Sequence, residues 1–318
     1  EAKKVRLRVS LKVRGRKEYK QYRFMIRLIV PVGQENKSLL ACVTQMLPGI
    51  RPGEARKILE KGDIKRNGSR TRQDETLHAG DVLEVYVPKA LQPYPRPEIV
   101  YQDDHLIVVN KNPGISVVDD REDGKPTVQQ LISFALADEG IDPIACHRLD
   151  HNTGGLVLFA KNEQYFELFS EAIAKRQICK YYKVIVAGVP SKSADELTGY
   201  LKKDADNALV QIAKLPFKGA LSVKTRYSLT KTNGSLSLLE VELITGRTHQ
   251  IRAHLASIGL PVLGDDKYGN RDINKKYGAR YQALWATKLV FRTGEGLLGY
   301  LDGKVIEADK INFPDVDL

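Results

Sequence analysis

Asp150 stands two residues after Arg148 and three after His147, at the head of a stretch (residues 146–162, CHRLDHNTGGLVLFAKN) that passes directly into apolar sequence at 156–160. A carboxylate beside a guanidinium and an imidazole can serve as nucleophile, general base or oriented anion. Charges avoid burial unless they are paired or used, so a charged cluster opening onto a core-like strand is a candidate site. Gly154 and Gly155 lie between the two and provide backbone freedom or close approach to a ligand. The plain alternative is a surface loop with a local Arg148–Asp150 ion pair. A second stretch, residues 246–255 (GRTHQIRAHL), also carries chemistry. There a strand ends, Gly246 allows a turn, and a helix opens with Thr248 as its cap. Ile251, Leu255 and Ile258 form the helix's apolar face, and Gly259 ends it. Arg247 and Arg252 near a helix N-terminus oppose its dipole unless each meets an anion, either a carboxylate or an RNA phosphate. His249 and His254, five apart with no carboxylate between them, do not make a zinc site, and no metal is expected.

The elements that must position these residues follow from pattern and composition. The chain has 318 residues, a net charge of +11, 42% hydrophobic and 28% charged residues. That is globular and large enough for one large and one small domain. No apolar run is long enough to span a bilayer. Three cysteines make no disulfide framework, and no signal-peptide pattern is visible, so a cytoplasmic setting is expected. The positive field favours a polyanionic partner.

Residues 1–24 form a basic extension in which Val5, Leu7, Val9, Leu11 and Val13 alternate with charges. A strand, an RNA-binding arm or a leader ahead of Met25 all fit it. Residues 25–88 read as a small unit: a strand, a helix capped by Ser38, a helix from Glu54 stopped by Gly62, a turn at Asn67-Gly68, and a strand alternating through Leu83, Val85 and Val87. Arg56, Lys57, Lys61, Lys65 and Arg66 make this unit's helix and loop positive. Residues 89–97, rich in proline, form a stiff linker. Residues 98–318 then mix helices with antiparallel-looking strands, among them 180–188, 223–229, 236–244 and sheet-completing segments within 284–313. The fold class is α+β.

The two chemical stretches together resemble the RluA-type pseudouridine synthase family. The family's signature appears as His147-Arg148-Leu149-Asp150, Thr153, Gly155-Leu156 and Ala160-Lys161, followed by Lys180-Tyr181-Tyr182, the unbroken segment 246–255, residues 261–265 and Tyr268-Gly269. Gly154 stands where serine is common, and Asn112-Pro113 where proline usually follows the lysine directly. The resemblance implies a synthase core with a central cleft that isomerises uridine to pseudouridine in structured RNA without a cofactor. Asp150 would be the catalytic carboxylate, paired with Arg247, and Tyr182 would stack on the uracil. Arg148 would brace the gap left by the flipped nucleotide, with His147, Arg252 and Lys180 as further RNA contacts. Residues 30–87 resemble an S-four-like RNA-binding domain. A monomer acting on ribosomal RNA, ahead of transfer RNA, is expected. The rivals are a catalytically silent RNA-binding protein and a Cys–His hydrolase built on Cys146 and His147.

Overall fold

The structure is a computed structural model; it describes residues 22–30, 32–33, 35–47, 50–88, 97–118, 127–136, 139, 141–204 and 209–318. The basic extension up to residue 21 and residues 89–96 of the proline-rich stretch lie outside the described residues, as does Gly140. The chain divides into two compact units, residues 1–97 with 118–143 and residues 98–117 with 144–318. The grouping of 118–143 with the first unit differs from the single boundary expected near the prolines.

In the first unit, β1 (Tyr22–Ile29) is followed by α1 (Leu39–Met46) and α2 (Pro52–Glu60), then β2 (Ile64–Arg66), β3 (Ser69–Thr71) and β4 (Val82–Pro88). The strands form one sheet in the order β1-β4-β2-β3. The Ser38 hydroxyl caps α1 by accepting the Ala41 N–H at 3.3 Å. α2 opens two residues before Glu54, whose carboxylate reaches back to accept the Arg51 N–H at 2.9 Å. Asn67 and Gly68 have φ of 49° and 85°, the left-handed pair that a two-residue hairpin between β2 and β3 needs. Leu28, Leu39, Val43, Ile58 and Val85 fill the core.

The basic face of this unit is narrower than expected. Arg66 gives Nη1 to Glu75 at 2.8 Å and Nη2 to Asp81 at 2.6 Å, and Lys65 lies 3.6 Å from Glu84. Arg56, Lys57 and Lys61 remain exposed. Also grouped here is α3 (Val128–Ala135), capped by Thr127, which accepts the Gln130 N–H at 3.2 Å.

The second unit contains β5 (Glu98–Gln102), β6 (Leu106–Lys111), β7 (Ile144–Ala145), β8 (Gly154–Ala160), α4 (Glu163–Ala174), β9 (Ile178–Ala187), β10 (Ala194–Asp204), β11 (Leu209–Ala213), β12 (Leu221–Thr232), β13 (Leu236–Leu243), α5 (Gln250–Ser257), α6 (Arg271–Lys276), β14 (Leu284–Phe291) and β15 (Val305–Glu307). Its eleven-stranded sheet runs β11-β10-β12-β13-β9-β14-β8-β6-β5, with β15 on β14 and β7 on β8. Every pairing is antiparallel except β14 with β8. β10 and β11 were not read from the sequence: the inward positions of β10 are Leu197, Gly199 and Leu201, and the glycine among them interrupts the apolar alternation.

The parallel contact explains the two glycines. Trp285 lies opposite Gly154 and Ala286 opposite Gly155. A Cβ on Gly154 would sit 2.3 Å from the Trp285 indole, and one on Gly155 (φ +113°) 2.2 Å from the Ala286 carbonyl oxygen. The close approach is to a neighbouring strand, not to a ligand. One apolar cluster, with Phe169 of α4, packs around Leu156 and Leu158, and another, with Ile251 and Leu255 of α5, around Tyr182 and Val184.

Candidate active site

Asp150 lies in the loop that leads into β8, and backbone groups fix that loop. Lys111, at the end of β6 and only 2% exposed, donates its ammonium to the carbonyls of Asn112, Ile115 and His151 at 3.1, 2.9 and 3.0 Å. The Gly114 N–H donates to the same His151 carbonyl at 2.9 Å, and the Thr153 N–H to the Asp150 carbonyl at 3.0 Å. His147 turns inward, its Nε2 accepting the Leu158 N–H at 3.2 Å. Burial and the Lys180 charge push its pKa down to about 3, so it is a neutral brace with one nitrogen already used, not the RNA contact expected of it. Burial raises the Cys146 thiol to about 12, which removes the thiolate that a Cys–His hydrolase would need.

The segment 246–255 delivers the guanidinium. The helix begins later than the sequence suggested: His249, not Thr248, occupies the cap position, in the left-handed region at φ 55°. Gln250 staples the turn. Its oxygen accepts from the Thr245 hydroxyl at 2.8 Å and the Arg247 N–H at 3.1 Å, while its amide nitrogen donates to the Lys224 carbonyl and the Thr225 hydroxyl, both at 3.0 Å.

Two residues on, Arg252 is buried and donates through Nη1 to Asp150 at 2.9 Å. Its Nε and Nη2 engage Asp265 in a two-pronged pair, each at 2.7 Å. Asp265 also accepts the N–H groups of Lys267 and Tyr268 at 2.9 and 3.0 Å. With its amide oriented to match donors to acceptors, Gln282 bridges Arg252 Nη2 and the Thr153 hydroxyl, both at 2.9 Å. The Tyr268 ring lies 5.2 Å from the guanidinium carbon. Burial opposes the charge on Arg252, but Asp265 and Asp150 outweigh it and raise its pKa; burial likewise opposes the charge on Asp265, and the Arg252 bonds outweigh it and lower the carboxyl. The result is a carboxylate–guanidinium–carboxylate chain, sealed at the Asp265 end and open at Asp150, whose side chain is 25% exposed.

This corrects two assignments. Arg252, expected as an RNA contact, holds Asp150, and Arg247, expected to hold it, is exposed on the turn before the helix. The other expected site residues fall around the carboxylate. Tyr182 of β9 is 4% exposed, and burial together with the Asp150 charge raises its phenol pKa, so the hydroxyl stays protonated. Lys180, one strand pitch away, is half-buried with its ammonium destabilised by burial. Arg148 is exposed. Asp265, Gln282, Tyr268 and Lys111 were not assigned roles from the sequence. The only signal for Asp265 and Tyr268 was their place in the matched segments after residue 260.

Among the described residues no cluster of three or more His, Cys, Asp or Glu side chains could hold a metal, and no helix is long and apolar enough to cross a membrane.

Residues 105–257 match the RNA pseudouridylate synthase family. An RNA pseudouridine synthase of Chlorobaculum parvum is 32% identical over 241 residues, covering 71% of this chain and 73% of that protein. The ribosomal large subunit pseudouridine synthase C of Rickettsia prowazekii is 34% identical over 205 residues, covering 63% of this chain and 64% of its own. The fold is shared with the human RNA pseudouridylate synthase domain containing 1 protein, with a TM-score of 0.52 at 21% identity over 70% of this chain and 91% of that one. The chain therefore belongs to the RluA-type family of RNA pseudouridine synthases, enzymes that isomerise uridine within RNA.

Proposed function

We propose that this synthase acts on large-subunit ribosomal RNA and that Asp150 is its reacting carboxylate. The observation that carries the second part is the open end of the Asp265–Arg252–Asp150 chain: a buried guanidinium anchored twice on Asp265 gives its Nη1 to the partly exposed Asp150 at 2.9 Å, whereas the more exposed Asp266 lies 3.5 Å from Nη2, which Asp265 already engages at 2.7 Å. Pseudouridine formation breaks the bond from C1′ to N1 of uracil, forms the bond from C1′ to C5, and releases the C5 proton to water while N1 takes a proton up. Whether the carboxylate attacks the nucleotide or draws a proton from the ribose, it must be held at one place and angle against a base taken out of its stack. Arg252 does the holding. Tyr182, as a buried phenol, forms the floor on which uracil lies, and Arg148 occupies the gap in the RNA.

The RNA assignment is supported by the Rickettsia relative's name and by the net charge of +11. Lys180 and Arg247, near the site, and Arg56, Lys57 and Lys61 of the S-four-like unit are proposed as phosphate contacts.

The test is tritium release from unmodified ribosomal RNA labelled at C5 of uracil. Wild type releases label and Asp150→Ala does not, while both bind the RNA. Release from transfer RNA alone would move the substrate assignment, and RNA binding without release from either would leave a silent binder.

A further inference from the structure

His249 is the residue of the site that the chain strains most to place. It is one of four non-glycine residues described with positive φ, and the left-handed region is costly for a side chain of this size. The strain is held by Tyr268. The Tyr268 hydroxyl accepts the Val210 N–H at 2.7 Å and lies 3.0 Å from His249 Nδ1. The Val210 N–H takes one acceptor position of that oxygen, and Nδ1 is the one acceptor within reach of the hydroxyl proton among the described residues. Burial raises the Tyr268 pKa, so that proton is present. Nδ1 is then an acceptor, and the imidazole carries its hydrogen on Nε2. No protein group among the described residues accepts from Nε2.

His249 is half-buried and adjoins the site: burial lowers its pKa, against the pull of the Asp150 charge. It is therefore a neutral N–H donor with a fixed tautomer beside the reacting carboxylate. A phosphate is better met by a cation; a neutral donor matches a neutral carbonyl. We infer that His249 Nε2–H donates a hydrogen bond to a uracil carbonyl of the target nucleotide, and that Tyr268, through Nδ1, is the positioning residue that sets this donor. The inference rests on the assignment of Asp150.

Two substitutions separate this role from packing. The amide nitrogen of Gln reaches the place of Nε2, whereas that of Asn reaches only the place of Nδ1. Asn suits the left-handed backbone better and keeps the contact with Tyr268, so a merely structural His249 predicts that His249→Asn is the active variant. A donor role predicts the reverse: His249→Gln keeps most of kcat and His249→Asn loses about tenfold or more, with thermal melting run on both. Tyr268→Phe, which frees the tautomer, lowers kcat with KM nearly unchanged.

A second arm covers a variant that folds poorly. Uridine is replaced at the target by its 2-thio or 4-thio form, since sulfur is the weaker acceptor. One of the two slows the wild type while adding nothing to the defect of His249→Ala. Active His249→Asn beside inactive His249→Gln, or a full, additive penalty from both thio substrates, overturns the inference. Asp150→Ala retaining wild-type release would instead bring down the assignment of Asp150, and this inference with it.

Discussion

At the scale of single residues, the difference between two arginines five positions apart decides the chemistry. Arg252 meets Asp265 through two parallel bonds and Asp150 through a third, a geometry that only a planar guanidinium can satisfy. Arg252→Lys keeps the charge but loses the fork, and it lowers kcat by about a hundredfold, because the carboxylate is no longer held at its angle. Arg252→Ala also strands Asp265 in the interior and costs about 3–5 kcal/mol of stability, read by denaturant unfolding. Arg247→Ala leaves kcat nearly intact and raises KM for RNA, with the salt dependence of binding shallower by about one charge. The sequence showed that an arginine of GRTHQIR should meet an anion, and it named both candidate partners, a carboxylate and a phosphate. It did not show which arginine took which. That choice turns on where the helix begins: with His249 left-handed and Gln250 first in α5, Arg252 falls on the inward face, and no local pattern announces a left-handed histidine.

At the scale of elements, what brings the two stretches together is β14 lying against β8 and α5 lying against β12. Gly154 and Gly155 were visible as places of close approach, but their partners, Trp285 and Ala286, arrive far later in the chain. The surface they approach was therefore not legible. Gly155→Ala forces a Cβ against the Ala286 backbone at positive φ and destabilises by about 3 kcal/mol or more. A denaturation midpoint measures this, and activity falls with it because Asp150 and Thr153 lie just upstream.

The docking of α5 carries a pH signature. His254 is 2% exposed, shares Nδ1 with the Thr225 hydroxyl at 3.0 Å, and is held by burial at a pKa of about 4 against an ordinary 6.5. Between those values the unfolded chain takes up a proton that the folded chain refuses, so this contribution to stability is whole above pH 6.5 and lost as pH falls toward 4. It amounts to on the order of 2–3 kcal/mol. His147, at about 3, acts in the same direction. Unfolding free energies at pH 7 and 4.5 should therefore converge in His254→Gln relative to wild type; an unchanged pH slope would place the titration elsewhere.

At the scale of the whole molecule, the net charge of +11 says that an anion is met but not which cations meet it. Composition counts Lys65 and Arg66 with the rest, yet Arg66 is committed to Glu75 and Asp81 and Lys65 lies near Glu84. An arginine already paired inside its own unit contributes to the fold; an exposed one on α2 contributes to the field that RNA senses. The two kinds separate by experiment. Changing Arg56, Lys57 and Lys61 together to Gln removes three exposed charges, none of which closes a salt bridge among the described residues. Stability stays near wild type, RNA binding weakens at low salt, and the slope of log affinity against log salt becomes shallower by about two to three. Tritium release at saturating RNA keeps its kcat, since none of the three touches the carboxylate chain. Arg66→Ala removes only one charge but leaves Asp81, 8% exposed, without its guanidinium, and it lowers the stability of the first unit before it alters the salt slope. A triple variant with an unchanged slope would mean that these side chains never meet the RNA, and that the excess charge works through other cations.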